Sequence, residues 1–313
     1  MYYEQEKEAL LQKQIIPQTK QADFEKFWQQ QVEALRQVPL QVTRQKLDLP
    51  FDRTFLTYQI SFNTHDATVV DAWFSVPANR GNQKLPCVVL YHGGGGKKEI
   101  FAEILATGVC CLAVDVRSQY GTTVDKAVYH SGDIMGGLMT CGILDKNEFY
   151  MRNIYLDAVR AMDVAASLEE VDPQRLVTFG GSQGGALSIV ASALSGRSSK
   201  CYSAVTSYCN LKKRVEDATG IFAKTHDFLW TYPEHTDQVM ENLTYFDILN
   251  MVSLLQVPVS FALTLADPIC LPPYVYSAYA HAAGPKEINF YPFAPHNTPR
   301  GFWLKMYREW AAL

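Results

Sequence analysis

From about residue 85 to the C-terminal end, short apolar segments alternate with amphipathic ones. This alternation restricts the fold more than any other feature of the chain. "PCVVLYHG", "VCCLAVDVR", "RLVTFGG", "VPVSFALTLAD" and "INFYPFAPH" are compact runs dominated by apolar residues. Runs of this length with little polar alternation suit strands buried on both faces. Between and after them lie "NEFYMRNIYLDAVRAMDVAASL", "GGALSIVASALS" and "GFWLKMYREWA", which read as helices. Ile154, Ala158, Met162 and Ala165 share one face of the first, and Trp303, Met306, Tyr307 and Trp310 should face inward from the last. Buried strands alternating with helices predict an α/β fold, with a mainly parallel sheet and helices on both faces. In such sheets ligands bind beyond the carboxyl ends of the strands, so reactive residues should directly follow strands.

Upstream, "DFEKFWQQQVEALRQ" places Phe24, Phe27, Trp28, Val32 and Leu35 at helical spacing, predicting a helix over about 21–37. "FLTYQISF" and "TVVDAWFSVP" read as an antiparallel pair of strands. The alternation lapses over about 210–249, where "THDFLWTYPEHTDQVMENLTYFD" is polar and aromatic. That segment should form a small helical cap over the sheet, either simply packing on it or shaping a pocket. With no internal repeat or Gly/Ser linker, residues 1–313 are expected to form a single domain.

Hydrophobic residues make up 48% of the chain and charged residues 19%, enough for a sizeable core. A net charge of −4 and the lack of a basic run interleaved with aromatics argue against nucleic acid or anionic lipid as partners. The longest apolar run, Ile104 to Val114, has 11 residues, whereas spanning a bilayer takes about 20. The first twenty residues lack an apolar signal core, so a cytoplasmic location is expected. The seven cysteines are odd in number and show no C-x-x-C spacing, which speaks against a disulfide framework or a zinc site. They should behave as small buried hydrophobes. No metal or cofactor is expected.

The reactive chemistry centres on Gly180-Gly181-Ser182-Gln183-Gly184, a G-x-S-x-G motif. The three fixed positions carry little weight alone. Their context carries more: the motif follows an apolar strand and opens a helix, as a nucleophile elbow requires. Ser182 would then stand above the sheet with the Gln183 N–H directed at a developing oxyanion. In the α/β-hydrolase order an acid and then a histidine follow the serine. Of His226, His235, His281 and His296, only His296 directly follows an apolar strand, which makes it the expected general base. Asp267 ends the preceding strand and is the expected orienting acid. Asp247, its rival, opens a helix-like segment where Asp commonly caps. "LYHGGGG", Leu90 to Gly96, offers backbone donors after an earlier strand, with the Gly94 N–H as second oxyanion donor. The same loop matches neither G-x-G-x-x-G nor G-x-x-x-x-G-K-[ST], so phosphate binding is not indicated.

With these residues placed, the chain from about Asp23 onward resembles the acetyl xylan esterase/cephalosporin C deacetylase family of carbohydrate esterases. The resemblance runs through the "FW" helix, "GILDKNEFYMRNIYLDAVRAMDVAASLEEVDPQRLVTFGGSQGG", "YFDILN", "DPICLPP" and "AGPKEINFYPFAPH". It implies an α/β-hydrolase fold with Ser182 as nucleophile, Asp267 as acid, His296 as base, and Gly94 and Gln183 as oxyanion donors. It implies removal of acetyl groups from small esters, acetylated xylo-oligosaccharides and cephalosporin C, without a metal. It also implies a homo-oligomer, a ring-like hexamer enclosing the active sites.

Three positions depart from the family pattern. Its Arg-Gly-Gln motif is Arg117-Ser118-Gln119 here, keeping the arginine and glutamine as site-supporting residues but losing the central glycine. Its His-Glu pair is His296-Asn297. The tyrosine after His-Gly in the oxyanion loop is Gly94, so the backbone donor stays while a pocket side chain is gone. Other acyl hydrolases (a peptidase, a lactonase or a longer-chain esterase) and a non-catalytic sugar- or partner-binding relative stay open as alternatives.

Overall fold

Successive residues of the strand Leu85–Tyr91 leave on opposite sides of one sheet. Cys87, Val89 and Tyr91 join one core cluster, and Val88 and Leu90 join the other. This period of two explains why the run is apolar throughout: both its faces are covered. The structure, a computed structural model, describes residues 2–50, 53–132 and 137–313.

Two N-terminal helices, α1 (Tyr2–Gln12) and α2 (Phe24–Gln37), precede the sheet. The apolar face of α2 is the one the spacing predicts, with Phe24, Phe27, Trp28, Val32 and Leu35 all buried. Trp28 also donates its indole N–H to the Tyr245 carbonyl at 2.9 Å. Strands β1 (Thr43–Lys46), β2 (Phe55–Asn63) and β3 (Val69–Pro77) follow as antiparallel neighbours. Next come β4 (Leu85–Tyr91), the short α3 (Ala102–Leu105), β5 (Cys110–Val114) and α4 (Tyr150–Ser167). Then β6 (Val171–Gly181), α5 (Gln183–Ser195) and β7 (Ser198–Ala204) form a strand–helix–strand unit.

The segment predicted as a cap holds α6 (Leu211–Glu216), α7 (Ala223–Thr231) and α8 (Thr236–Leu243), followed by α9 (Ile248–Met251). The chain closes with β8 (Val259–Thr264), α10 (Pro272–His281), β9 (Lys286–Tyr291) and α11 (Arg300–Trp310).

Among the described residues the strands form one sheet in the order β1-β2-β3-β5-β4-β6-β7-β8-β9. The pairings from β5 through β9 are parallel and those of β1, β2, β3 and β5 antiparallel. Helices α2, α4, α5 and α10 pack on one face, with α3 and α11 on the other. The predicted α/β architecture with helices on both faces is therefore the one found. The inward face of α11 differs in detail: Phe302, Met306 and Trp310 are buried, while Trp303 and Tyr307 are only partly covered. Cys87, Cys110, Cys111, Cys201, Cys209 and Cys270 are free and buried.

Order along the sheet positions the site. β5 follows β4 on one side and β6 lies on the other, so the topology reverses at β4. The loops leaving β4 and β6 diverge at that point and open a crevice between them.

Candidate active site

The turn from β6 into α5 is built for closeness. A Cβ at Gly180 would collide with the backbone of Gly184, and one at Gly184 with the Tyr91 carbonyl at the end of β4. Glycine at both positions lets β6, α5 and β4 approach, while Ser182 between them takes φ 57°, ψ −119°. A non-glycine residue there carries about 1–3 kcal/mol of strain and needs surrounding bonds to hold it. The Ser182 N–H donates to the Ala204 carbonyl (2.9 Å), and its own carbonyl accepts from Ser207 N–H (3.1 Å).

The crevice brings together residues from the ends of three parallel strands, β6, β8 and β9. His296, after β9, has Nε2 3.0 Å from Ser182 Oγ and Nδ1 2.8 Å from Asp267 Oδ2, after β8. Asp267 is buried, and its Oδ1 accepts the N–H groups of Ile269 (2.8 Å) and Cys270 (2.9 Å). Burial pushes its carboxyl up, but the hydrogen bonds from His296 and those two amides outweigh it and hold the group below the usual carboxylate range. As a carboxylate it only accepts, so Nδ1 carries the proton and neutral His296 turns a lone pair toward Ser182. The Asp267 hydrogen bond, with the Cys270 thiol beside it, raises His296 to about 9 against the opposing effect of burial.

The other candidates lie elsewhere. Asp247 caps α9, accepting from Leu249, Asn210 and Leu211 N–H groups. His226 contacts the Val215 carbonyl, His235 stacks on Phe228, and His281 contacts the Ile16 carbonyl.

Gly94 stands opposite the elbow, where a Cβ would lie 3.9 Å from Gln183 Oε1. Gln183 is the first residue of α5, so its N–H has no carbonyl one turn earlier within the helix. Arg117 and Gln119 do two different jobs. Arg117 is fully buried and donates to Asp157 through Nε and Nη2 (both 2.7 Å) and to Asp66 (2.7 Å) and Asp125 (3.0 Å) through Nη1. Gln119 reaches the site itself: its Oε1 accepts from Gly95 N–H at 2.9 Å, and its amide pairs with the amide of Gln183. Ser118 between them has φ 54°, the left-handed conformation that glycine adopts freely. Asn297 is exposed beside His296.

Sequence reasoning overlooked several groups here. Tyr208 donates to Gln183 Oε1 (2.7 Å), and Tyr150 donates to the Arg117 carbonyl (2.7 Å). His92 takes the Val116 N–H on Nε2 at 3.0 Å and is kept below its ordinary value by burial, bracing the glycine loop as a neutral ring. Two cavities, of about 710 and 460 Å³, meet at Ser182, His296, Gly94 and Gly95. Asp267, Cys270 and His296 offer three ligand atoms within 4.8 Å of one another. The Asp267 and His296 atoms are already engaged with each other, so an ion there would have to break that hydrogen bond.

Comparison with known proteins agrees with this architecture. The acetyl xylan esterase (AXE1) family matches residues 10–312. An acetyl esterase of Xylanibacter ruminicola is 26% identical over 306 residues, 93% of this chain and 68% of that protein. The solved acetyl xylan esterase from Paenibacillus sp. R4 superposes with a TM-score of 0.91 at 34% identity, covering 97% of this chain and 98% of the other. Acetyl xylan esterase 1 from Thermoanaerobacterium sp. shares the fold at 24% identity with a TM-score of 0.89, covering 97% and 98%. The chain belongs to the acetyl xylan esterase family and is a carboxylic ester hydrolase.

Proposed function

We propose that the protein removes acetyl groups from small esters such as acetylated xylo-oligosaccharides or cephalosporin C, with Ser182, His296 and Asp267 as its catalytic triad. The observation that carries this is the hydrogen-bonded line from Ser182 Oγ through His296 to Asp267, at 3.0 and 2.8 Å. His296 Nε2 takes the Ser182 proton as Oγ attacks the acetyl carbonyl, and Asp267 holds the ring and offsets the imidazolium charge. The Gly94 and Gln183 N–H groups receive the oxyanion, each worth about 3–4 kcal/mol by analogy with measured oxyanion holes. His296 then protonates the departing alcohol. A water, deprotonated by the same ring, releases acetate from Ser182.

Ser182→Ala should lower kcat on p-nitrophenyl acetate by at least about 10⁴-fold with the fold intact. Near-wild-type turnover would refute the assignment. Wild-type Ser182 should react with a fluorophosphonate, and its failure to do so would favour a non-catalytic relative. Acetyl esters should be hydrolysed faster than butyryl or octanoyl esters, and the reverse order would make this a longer-chain esterase. The same reading extends to a homo-oligomer. Exposed Tyr120 and Trp230, 81% and 82% accessible, supply apolar surface that such an assembly would cover. Sedimentation equilibrium measures the mass.

A further inference from the structure

Among the described residues three arginines are buried; two of them, Arg117 and Arg214, lie close to the crevice and differ in what surrounds them. Arg117 meets three carboxylates, those of Asp66, Asp125 and Asp157. Arg214, on α6, is 3% exposed, and among the described residues no carboxylate forms an ion pair with it. Its Nε has no hydrogen-bond partner. Its Nη1 makes only long contacts, to Ser207 Oγ at 3.4 Å and Cys270 Sγ at 4.0 Å. The Phe222 ring centroid lies 5.3 Å from the guanidinium carbon. The Asp247 carboxylate feels this charge but spends its oxygens on the N–H groups of Asn210, Leu211 and Leu249. A buried cation without a counter-charge is costly, so its persistence needs a reason.

The reason lies in the cavity it lines. Arg214 belongs to the wall of the 710 Å³ cavity that also holds Ser182 and His296. Lys224 adds a second cation to that wall, and among the described residues no Asp or Glu lines it. An acetyl group fills a small fraction of such a space, which is sized for a drug-like molecule, so the alcohol half of the ester occupies it. The planar guanidinium matches a carboxylate in shape and charge, and the pairing strengthens where water is excluded.

We infer that Arg214 is a specificity residue that binds a carboxylate on the alcohol half of the substrate. The favoured esters are then acetylated acidic alcohols, as in a uronic-acid-bearing sugar, over neutral ones. This rests on the esterase reading of Ser182, and the test separates the two.

Hydrolysis of 4-acetoxybenzoate is compared with that of 4-acetoxybenzamide, a neutral ester of similar shape. Wild-type kcat/KM should favour the anion by about tenfold or more at low salt, and added KCl should shrink the difference. Arg214→Gln should abolish the preference, mainly through the KM of the anionic ester, and Arg214→Lys should restore part of it. Benzoate should also inhibit p-nitrophenyl acetate hydrolysis by the wild type more strongly than benzamide, a comparison that needs no variant to fold. Equal handling of the two esters and the two inhibitors, or a preference that survives in Arg214→Gln, overturns the inference. Hydrolysis of neither ester, with Ser182 unlabelled by a fluorophosphonate, overturns the esterase reading instead.

Discussion

The side-chain amides of Gln119 and Gln183 bond to each other reciprocally, at 2.9 and 3.1 Å, across 64 positions of sequence. The pair ties the loop after β5 to the elbow after β6. The same Gln119 oxygen holds the Gly95 N–H, so the glycine loop is fastened to both. Tyr208 fixes the Gln183 oxygen from the far side. If Gly94 and Gln183 receive the oxyanion, Gln119 sets the spacing between them.

Gln119→Ala should therefore lower kcat on p-nitrophenyl acetate by about 10- to 100-fold, since misplacing catalytic donors by an ångström costs on that order. KM should change little and the circular dichroism spectrum not at all. Gln119→Glu keeps the acceptor but loses the donor to Gln183, so it should recover part of the loss. An equal fall in kcat for Ala and Glu variants would mean that the amide pair does not position the donors.

The protonation of His296 sets a pH dependence whose sign follows from its partner. The Asp267 hydrogen bond raises the imidazole to about 9, so the neutral base form grows as pH rises. The kcat/KM for a neutral acetyl ester should climb with pH to a midpoint above the ordinary 6.5. In Asp267→Asn the midpoint should move down toward 6.5, and the plateau should fall by about 10⁴-fold because the favoured tautomer is lost. Between pH 5 and 10, the stability that the His296–Asp267 pair contributes is fully present below pH 6.5 and disappears as pH rises through about 9. A rate profile between pH 5 and 10 checks the first two points. Urea midpoints in wild type and Asp267→Asn over the same range check the third.

Ser118 marks where this chain leaves the Arg-Gly-Gln pattern, and its φ of 54° is the conformation a glycine would favour. An L-residue pays about 1–2 kcal/mol in that region, partly offset by the greater freedom glycine has when unfolded. Ser118→Gly should gain up to about 1 kcal/mol and raise Tm by about 1–2 °C. Calorimetry decides. A lower Tm would mean that the loop draws support from the serine side chain.

How much of this was legible beforehand depended on how local each signal is. Ser182, Asp267 and His296 each directly follow an apolar strand, and a strand-then-turn context can be read within about ten residues. The cap residue Asp247 was legible for the same reason, standing at the start of its helix. β7 escaped notice because "SSKCYSA" is mostly polar. Its interior hydroxyls are satisfied by partners that only the fold supplies, such as Thr206 for Ser203. Tyr208, Tyr150 and the Gln119–Gln183 pair left no trace in spacing or composition, since each contact joins segments far apart in the chain. The isolation of Arg214 was equally hidden, because the sequence around it has acids enough: Glu216 and Asp217 follow within three positions, and both turn to Lys213 instead.

The buried cluster around Arg117 gives a prediction about stability and acid. Asp157 receives both Nε and Nη2, and Asp66 and Asp125 share Nη1. Burial pushes the Asp66 carboxyl up, but the hydrogen bond and charge of Arg117 prevail and hold it at about 2. Its contribution to stability is thus present above pH 3.8 and is lost as pH falls through about 2. Arg117→Leu fills the space yet strands three carboxylates, which costs about 3–5 kcal/mol at pH 7. The gap between variant and wild type should be widest above pH 4 and should narrow toward pH 2, as Asp66 takes up its proton. Urea unfolding at pH 7 and pH 3 measures both values. A loss under about 1 kcal/mol at pH 7, or a gap that does not narrow in acid, would mean that other contacts hold the Arg117 loop beside the site.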